Sequence, residues 1–531
     1  MPAEFDAPAF AFAALGLLLA GACSASEPAA PGGGRALSPV SERVSAWSAA
    51  SSRSAPPTSP ATPSMRAVPA IPAEPSAPPA NVEALSGNPE PTAAEPEPPE
   101  PDVVPELLAT ARETQVFAEP SRRSEKLGYL RLGARVRRSA EAVSFEGCPQ
   151  GWYRVAPQGF VCTGPAATRD VNQPLAELTR LRPDRDGELP YAYGRSKPVP
   201  PPLYTRAPAK AEMLALEGGA PRQAAGWDDF EAAALPEPFA AGSRLPTPFG
   251  YARAEGNTTA RALPKSGFAL LGAFVHDGRR YGMTTDLELV PLDRLSRVEA
   301  GGFRGLPLDQ GSALPVVFVR SKHAFLYEGS PLAGLRIARP LGYREAVSVR
   351  GPSRKIGGLR FYETVSGGWL RDENLVKVEP PERLPAWATG ERRWIHVAIG
   401  AQTLIAYAGA RPVYVTLVST GAGGLADPKE SHATPRGEFL IHTKHVTATM
   451  DGDEVGDEYD LRDVPYVQYF TEGYALHAAY WHDAFGAPHS HGCVNLSPQD
   501  ARWLFQFTEP AVPQGWHGAL SKRGTLLSIT P

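Results

Sequence analysis

The chain has 531 residues, a formal net charge of −4 and a sequence pI near 6.3, and 42% of its residues are hydrophobic. This length is too great for a single hydrophobic core, so we expect two to four domains. The charge balance gives no basic stripe of the kind that binds DNA or RNA, which excludes nucleic acid as the expected partner. The apolar content is high enough for folded domains even beside a long disordered segment.

The first 22 residues have the pattern of an export signal. Residues 8–22 form an apolar, small-residue run that is short for a membrane-spanning helix. The run ends in Leu19-Ala20-Gly21-Ala22-Cys23, which resembles a bacterial lipoprotein cleavage site. The resemblance implies a lipid on Cys23, a periplasmic location and attachment to the outer membrane. An ordinary secretory signal and a misplaced start codon are the alternatives, because no Lys or Arg precedes the run.

Residues 23–106 are rich in Ala, Pro and Ser, and they turn acidic over 95–101. A segment of this composition cannot bury enough apolar surface to fold, so we expect a disordered linker. Its proline content predicts an extended and semi-stiff spacer, which would lift the folded part of the chain away from a membrane anchor.

Short strand-like runs separated by turn residues follow between 107 and 170. The runs are 116–121, 127–130, 151–155 and 159–162. Their order resembles the bacterial Src-homology-like small barrel. Cys148 and Cys162 flank the third run, and an oxidising compartment would allow them to form a disulfide.

The middle of the chain divides into two parts. Residues 171–265 are rich in Pro and Ala with few periodic runs, so we expect an irregular connecting region and assign it no function. Residues 266–385 become strand-like again, and Gly367-Gly368-Trp369-Leu370-Arg371 is similar to the Trp-containing run of the 107–170 segment. This predicts a β-rich module, for which a second small barrel is one candidate form.

The strongest β pattern begins at about residue 390 and includes the buried-type run 413–418. One helix is expected, with Ser497 as its N-cap, Pro498 as its first residue and Asp500 in its first turn. We therefore predict a mainly β protein, in which a last domain over 390–531 carries one or a few short helices.

Cys493 is the candidate nucleophile. If Cys23 is lipidated and Cys148 pairs with Cys162, Cys493 is left as a free thiol in an exported protein. It follows His477 by 16 residues. The thiolate is the reactive form of cysteine, and a histidine with a pKa near neutrality can accept the thiol proton. Cys493 and His477 are therefore the predicted catalytic pair.

Further residues around this pair resemble the L,D-transpeptidases, a family of bacterial cell-wall enzymes. The shared motifs, in chain order, are Val418-Ser419-Thr420-Gly421, Thr434-Pro435-Arg436-Gly437, and His477 followed by Ser490-His491-Gly492-Cys493-Val494-Asn495. The resemblance covers residues 392–531 and implies a β-sandwich. The sequence departs from many family members at Ala478, where they carry Gly.

The resemblance implies acyl transfer on peptidoglycan stem peptides, with no cofactor and no metal. Cys493 would form a thioester with the third residue of a donor stem, the terminal D-amino acid would leave, and an acceptor amine would then complete a cross-link. His477 would carry the proton, and a backbone carbonyl would orient its ring. Backbone N–H groups around Gly492 and Cys493 are expected to stabilise the oxyanion, and Gly492 lets the substrate approach closely.

Ser490, His491 and Asn495 complete the expected oxyanion and substrate region. Ser490 and Asn495 are expected to brace the turn, and His491 is expected to pack or to contact substrate rather than to act as the base. Arg436 is a candidate partner for a stem carboxylate, although an exposed arginine usually faces solvent.

Other functions remain open from the sequence alone. His489, His491 and Cys493 offer the nitrogen and sulfur ligands that zinc takes, but the family resemblance explains the same residues without a metal. Water in place of the amine acceptor would make the protein an L,D-carboxypeptidase. Small barrels, a spacer and an anchor would also suit a non-enzymatic tether that binds the cell wall.

Overall fold

The structure is a computed structural model that describes residues 104–531 except 180, 220, 254–255, 310–311, 374 and 453–457. The expected signal over 1–22, the expected lipidation site Cys23 and nearly all of the 23–106 linker lie outside the described residues. The described chain is mainly β with few helices, which confirms the predicted fold class. Within this part of the chain, no helix combines the length and the apolar character that a membrane span requires.

The elements of residues 104–300 are short strands with two helices and a 3₁₀ turn. In chain order they are β1 (Glu106–Ala109), β2 (Glu113–Phe117), β3 (Lys126–Arg131), β4 (Arg135–Arg137), β5 (Trp152–Arg154), β6 (Phe160–Cys162), β7 (Ala167–Thr168), α1 (Pro174–Leu178), β8 (Ala192–Ser196), β9 (Pro202–Tyr204), α2 (Lys210–Glu217), β10 (Ala232–Ala234), β11 (Thr258–Arg261), β12 (Gly267–His276), β13 (Arg279–Thr284), β14 (Leu289–Pro291), the 3₁₀ turn (Leu292–Arg294) and β15 (Leu295–Val298).

The elements of residues 301–531 are strands and one helix. In chain order they are β16 (Leu306–Pro307), β17 (Val316–Val319), β18 (Phe325–Ser330), β19 (Gly334–Pro340), β20 (Ala346–Ser348), β21 (Arg354–Ile356), β22 (Leu359–Glu363), β23 (Trp369–Arg371), β24 (Leu375–Val378), β25 (Arg393–Ala398), β26 (Thr403–Ala408), β27 (Arg411–Leu417), β28 (Gly437–Leu440), β29 (Thr443–Gly452), β30 (Tyr459–Thr471), β31 (Tyr474–Ala478), β32 (Val494–Leu496), α3 (Pro498–Phe507), β33 (Gly518–Leu520) and β34 (Leu526–Thr530).

The N-terminal module, residues 104–170, contains strands at or overlapping each of the four expected runs. β2 pairs with β3, β5 pairs with β6, and β1 lies between β4 and β7 in a separate small sheet. Cys148 and Cys162 are joined by a disulfide, and buried Trp152 packs edge-on against Phe117 at 5.6 Å between ring centroids. β3 also pairs with β33, so this module shares a sheet with the end of the chain. Its assignment as a Src-homology-like barrel stays a prediction.

The middle module, residues 171–300, differs from the sequence prediction. β8 pairs with β12 and β15, and β9 pairs with β11 and β14, so strands from both sides of the expected boundary at 265 form one sheet. The prediction of an irregular region over 171–265 is therefore wrong where β8 to β11 lie. These strands are three to five residues long, which is too short for alternation of polar and apolar residues to stand out among prolines and alanines.

The third module, residues 301–385, is β-rich, in agreement with the sequence pattern. It contains a three-stranded sheet in the order β20-β17-β24 and a five-stranded sheet in the order β19-β18-β23-β22-β21. β16 leaves this module and pairs with β27 at the edge of a different sheet. Its form as a second small barrel stays a prediction.

The C-terminal domain, residues 390–531, is built on a six-stranded sheet in the order β16-β27-β26-β25-β34-β28, together with β29 to β33. α3 packs between them through buried Ala501, Leu504 and Phe505. Ser497 Oγ accepts from the Asp500 N–H at 3.1 Å, which confirms the predicted N-cap. A single apolar core runs from this domain into the N-terminal module.

Buried Asp463 on β30 joins three parts of the molecule. Its carboxylate accepts from Arg131 of the N-terminal module, from Thr285 of the middle module and from Thr447 of its own domain. Its backbone carbonyl accepts from Tyr193 Oη at 2.6 Å. Burial would raise the pKa of Asp463, but Arg131 and the threonine hydroxyls hold it below the ordinary value for aspartate.

Candidate active site

A cavity of about 790 Å³ lies at the carboxyl end of β31 and in front of β32. It is lined by Arg195, Leu263, Pro264, Lys265, Ala422, His432, Met450, Glu458, Tyr459, Leu461, His477, Trp481, His489, Ser490, His491, Cys493 and Asn495. Five of the six catalytic, oxyanion and substrate residues predicted from the sequence line this cavity, and Gly492 lies in the loop that forms its floor.

The pairing of β31 with β32 brings the two expected catalytic residues to the same cavity. The strands run parallel, with Leu476 opposite Val494 and His477 opposite Asn495. Cys493 immediately precedes β32, so the thiol and the imidazole enter the cavity from neighbouring strands. Most of the 16 residues that separate His477 from Cys493 in the sequence form the loop between these strands.

The His477 ring is held in one orientation. Its Nδ1 lies 3.0 Å from the carbonyl oxygen of Ala478, so Nδ1 carries the proton and donates it. The ring also stacks on Trp481 at 5.7 Å between centroids. Nε2 is therefore left as the basic nitrogen. Burial lowers the pKa of His477 to about 4, so the ring is neutral near pH 7.

Cys493 is a free thiol whose side chain is half-buried against the apolar residues Leu461, Val464 and Ala475. Burial raises the pKa of Cys493 to about 11, and a backbone hydrogen bond with Ala475 acts in the opposite direction. The thiol and the imidazole are thus both neutral in the unliganded protein. No preformed thiolate–imidazolium pair is expected at neutral pH.

Ser490 braces the loop that carries Cys493. Its Oγ donates to the carbonyl oxygen of Cys493 and accepts from the N–H of Gly492 at 3.1 Å. The Gly492 N–H thus donates to Ser490 in this conformation, and its expected role in stabilising the oxyanion stays a prediction. The N–H of Cys493 is the neighbouring backbone donor that is expected to serve a reacting carbonyl.

Gly492 has a conformation and surroundings that only glycine tolerates. Its φ is +121°, and a Cβ there would lie 2.5 Å from a ring carbon of Tyr474. Thr434, from the predicted Thr-Pro-x-Gly turn, donates to the Gly492 carbonyl at 2.8 Å and accepts from the Gly421 N–H at 2.8 Å. Thr434 thus links two of the three sequence motifs to the nucleophile loop.

Asn495 and His491 occupy different environments beside Cys493. Asn495 is buried, pairs with Ser419 across a β-bridge, and its amide lies 2.9 Å from His482 Nε2. His491 is exposed in the cavity, with its ring 4.6 Å from that of His432 and 4.9 Å from that of Tyr459. Asn495 therefore braces the strand, and His491 forms part of the cavity wall.

The sequence reading missed one wall of the cavity. Arg195, Leu263, Pro264 and Lys265 come from the middle module, within the region that we expected to be irregular. No motif or periodicity marks them. Arg436, the arginine that the sequence suggested, is exposed, donates to the carbonyl of Leu425 at 2.8 Å and does not line the cavity.

The histidines near Cys493 do not form a metal centre with it. In the part of the chain that the structure describes, no group of three or more His, Cys, Asp or Glu side chains is arranged to hold a metal ion. His482 Nδ1 accepts from the backbone N–H of Ala484 at 3.1 Å, and burial lowers the pKa of His482 to about 3.

The region that contains most of this site is similar to known proteins. Residues 392–516 match the model of YkuD, described as the L,D-transpeptidase catalytic domain. L,D-transpeptidase 1 of Mycobacterium tuberculosis is 36% identical over 85 residues, which are 14% of this chain and 34% of the relative. The chain thus spans about a third of the length of the curated relatives it matches.

Solved structures of L,D-transpeptidases are also similar to this chain. One from Mycobacterium smegmatis is 22% identical, with 37% of this chain and 89% of the other covered and a TM-score of 0.21. One from Xylanimonas cellulosilytica is 22% identical, with 28% and 65% covered and a TM-score of 0.20. Residues 392–516 of this chain therefore match the catalytic domain of the L,D-transpeptidase family.

Proposed function

We propose that this protein is a peptidoglycan L,D-transpeptidase, an acyltransferase with Cys493 as nucleophile and His477 as base. The observation that carries the proposal is that both side chains line one cavity, within the region that matches the catalytic-domain family. The fixed tautomer of His477, with Nδ1–H donated to Ala478, supports the role of Nε2 as proton acceptor.

In the proposed acylation step, the Cys493 sulfur attacks the carbonyl carbon of the third stem residue while His477 Nε2 takes the thiol proton. The new C–S bond gives a tetrahedral intermediate, whose oxyanion accepts from the N–H of Cys493. The C–N bond then breaks. The leaving amine takes the proton back from His477, and the terminal D-amino acid departs to leave a thioester.

In the proposed transfer step, an acceptor amine attacks the thioester carbonyl and gives up a proton to His477. The C–S bond breaks, an amide cross-link forms, and the proton returns to the Cys493 sulfur. The neutral resting pair fits a mechanism in which the thiol proton moves during attack rather than before it, because the pKa of Cys493 lies far above that of His477.

The first test is Cys493→Ala. We expect the wild-type chain to form a covalent adduct with a carbapenem, which resembles the donor acyl group, and to release cross-linked muropeptides from sacculi. The variant should do neither, while its thermal unfolding changes little because the lost sulfur is small and half-buried. Intact mass and peptide mapping locate the adduct, since Cys493 is the free cysteine of the described chain.

The same experiment separates the alternative functions. Trimmed but uncrosslinked stems would indicate water as the acceptor, and therefore an L,D-carboxypeptidase. A folded wild-type chain that binds sacculi without any adduct on Cys493 would support a non-enzymatic tether and overturn the proposal. Substantial cross-linking by Cys493→Ala would remove this residue from the chemistry.

The second test is His477→Ala. Acylation at pH 7 should slow by about 10²–10⁴-fold, because a positioned general base is lost. The rate should recover in part as the pH rises toward the pKa of Cys493, where thiolate forms unaided. His491→Ala is the matched control, since that ring lines the same cavity, and we expect it to slow acylation less than about 10-fold. Equal losses in both variants would contradict the assignment of His477 as the base.

We also propose that the protein is exported and anchored through a lipid on Cys23, on the basis of the cleavage-site resemblance alone. Mass spectrometry of the mature N-terminus tests this. A processed N-terminus other than a lipidated Cys23 would contradict it.

A further inference from the structure

One wall of the catalytic cavity belongs to the middle module rather than to the matched family domain. Arg195 on β8 and Lys265 just before β12 both line the cavity with Cys493 and His477. The family match begins at residue 392, so both cations lie outside the matched residues.

Arg195 is held rigidly at this wall. It lies opposite Gly267 in the β8–β12 pairing, and Gly267 in turn bridges to Leu461 on β30. A Cβ at Gly267 would lie 2.0 Å from Tyr480 Oη, so the glycine allows the two chain segments to approach closely. Tyr480 also packs on Tyr193 at 4.9 Å between ring centroids. These contacts join the wall to β30.

The hydrogen-bonding capacity of Arg195 is only partly used. Its Nη1 donates to the carbonyl of Trp481 at 3.2 Å. Its Nε is buried and, within the described chain, has no hydrogen-bond partner. Arg195 lines the cavity, and a guanidinium carries five N–H donors, of which the Trp481 carbonyl accepts only from Nη1.

The charges around the cavity favour an anion. Arg195 and Lys265 are its cationic walls, and Glu458 is the single carboxylate among the described lining residues. Lys265 is exposed, and within the described chain no carboxylate pairs with it or with Arg195. Guanidinium groups bind carboxylates through paired N–H donors, which an ammonium cannot match in geometry.

We propose that Arg195, assisted by Lys265, binds a carboxylate of the peptide substrate and so sets the substrate preference of the site. The proposal rests on the proposed function, because it takes a stem peptide as the ligand. Two carboxylates of a donor peptide have the same chemistry, the C-terminal one on the leaving residue and one on a side chain. Arg195 and Lys265 are thus positioning residues supplied by a module outside the catalytic domain.

Binding measurements test this without any chemistry. The full chain carrying Cys493→Ala is titrated by calorimetry with a donor tetrapeptide that has one side-chain carboxylate and a free C-terminus. Two further peptides are amidated, one at the C-terminus and one at the side chain. We expect one of the two amidated peptides to bind about 10- to 100-fold more weakly than the free-acid peptide. The carboxylate that is blocked in this peptide is then the one that Arg195 binds.

Arg195→Gln, added to the Cys493→Ala chain, should remove the preference for the free-acid peptide over the amidated peptide that binds weakly. Affinity for the free-acid peptide should fall about 10- to 100-fold, and affinity for the sensitive amide should not change. Lys265 is exposed, so Lys265→Gln should lower the affinity for the free-acid peptide by only about 2- to 5-fold. Arg222→Gln, an exposed arginine of the same module outside the cavity, is the matched control and should leave all three affinities unchanged.

Several results would overturn the proposal. One is that the Cys493→Ala chain, which retains Arg195, binds all three peptides with equal affinity. Another is that Arg195→Gln lowers the affinity for all three peptides by the same factor. If circular dichroism shows that Arg195→Gln does not fold, the same three affinities are measured with Arg195→Lys and Lys265→Gln instead. Arg195→Lys keeps the positive charge, and Lys265 lies at the surface. Failure of the proposed function is a separate result, seen as absence of the carbapenem adduct on Cys493 of the wild-type chain.

Discussion

The middle module and the third module both contact the C-terminal domain, but they are attached in different ways. The middle module shares strands with it, through the bridge from Gly267 to Leu461, and hydrogen-bonds to the buried Asp463. The third module keeps two sheets of its own and adds only the two-residue strand β16 to the edge of the six-stranded sheet.

The arginines at the two contacts show what this difference means. Arg344 of the third module is 5% exposed and binds both carboxylate oxygens of Asp483, at 2.5 and 2.8 Å. It also lies over the rings of Tyr343 and Phe303. Arg195 of the middle module lines the cavity and, within the described chain, pairs with no carboxylate. The two guanidinium groups thus differ in their partners: that of Arg344 is paired with a carboxylate of the C-terminal domain, whereas that of Arg195 lines the cavity without one among the described residues.

Asp463→Ala should give the largest loss of stability among these variants, because Asp463 joins the middle module to the C-terminal domain. It leaves the buried Arg131 guanidinium without its partner and removes the acceptor of Thr285 and Thr447. We expect a loss of about 3–5 kcal/mol in the free energy of unfolding, measured by urea denaturation. Asp229→Ala, which removes an exposed ion pair with Arg297 in the same module, should cost less than about 1 kcal/mol. Similar losses in the two variants would show that Asp463 does not join the modules.

Acid should weaken the sheet that carries the third module. Burial lowers the pKa of His396 on β25 to about 4, and its Nε2 lies 3.0 Å from Thr530 Oγ1. Above about pH 6.5 the ring is neutral in both folded and unfolded chains, so its contribution is fully present. Between about pH 6.5 and 4 only the unfolded chain binds the proton, and stability falls by up to about 1.4 kcal/mol per pH unit.

His396→Gln should therefore give a shallower loss of stability over this pH range than the wild-type chain, by up to about 1.4 kcal/mol per pH unit. Urea unfolding at several values between pH 7 and 4 measures both slopes, and the difference between slopes is independent of any constant loss caused by the substitution. Parallel slopes would show that His396 is protonated in the folded chain.

Much of the candidate site could be predicted because it is local in the sequence. Ser490, Gly492, Cys493 and Asn495 lie within six residues, and His477 is carried on the strand that pairs with them. Glycine at 492 is required by its φ and by the Tyr474 ring, so the loop conformation is encoded where the nucleophile lies. The helix at 498 was equally accessible, because its cap is formed by neighbouring residues.

Arg195 could not be predicted because its role depends on contacts distant in sequence. It reaches the cavity through strand pairing with residue 267 and the packing of Tyr193 on Tyr480. Neither contact leaves a pattern in the residues around 195, where β8 is only five residues long. The sequence suggested Arg436 instead, since it lies inside a recognisable motif, yet it does not line the cavity, and its side chain donates to the Leu425 carbonyl.

Asp483→Ala should have the smallest effect of these changes. Asp483 is 65% exposed, so solvent screens its pair with Arg344, and we expect a loss of about 1 kcal/mol in the free energy of unfolding. Arg344 keeps the backbone carbonyl of Asp483 as an acceptor at 2.7 Å and keeps its contact with Phe303. Asp483→Asn is the matched control, because it removes the charge and retains an acceptor, and it should cost less than the alanine variant. A loss as large as that of Asp463→Ala would mean that the third module is attached as firmly as the middle module. In that case the exposure of an ion pair would not distinguish the two attachments.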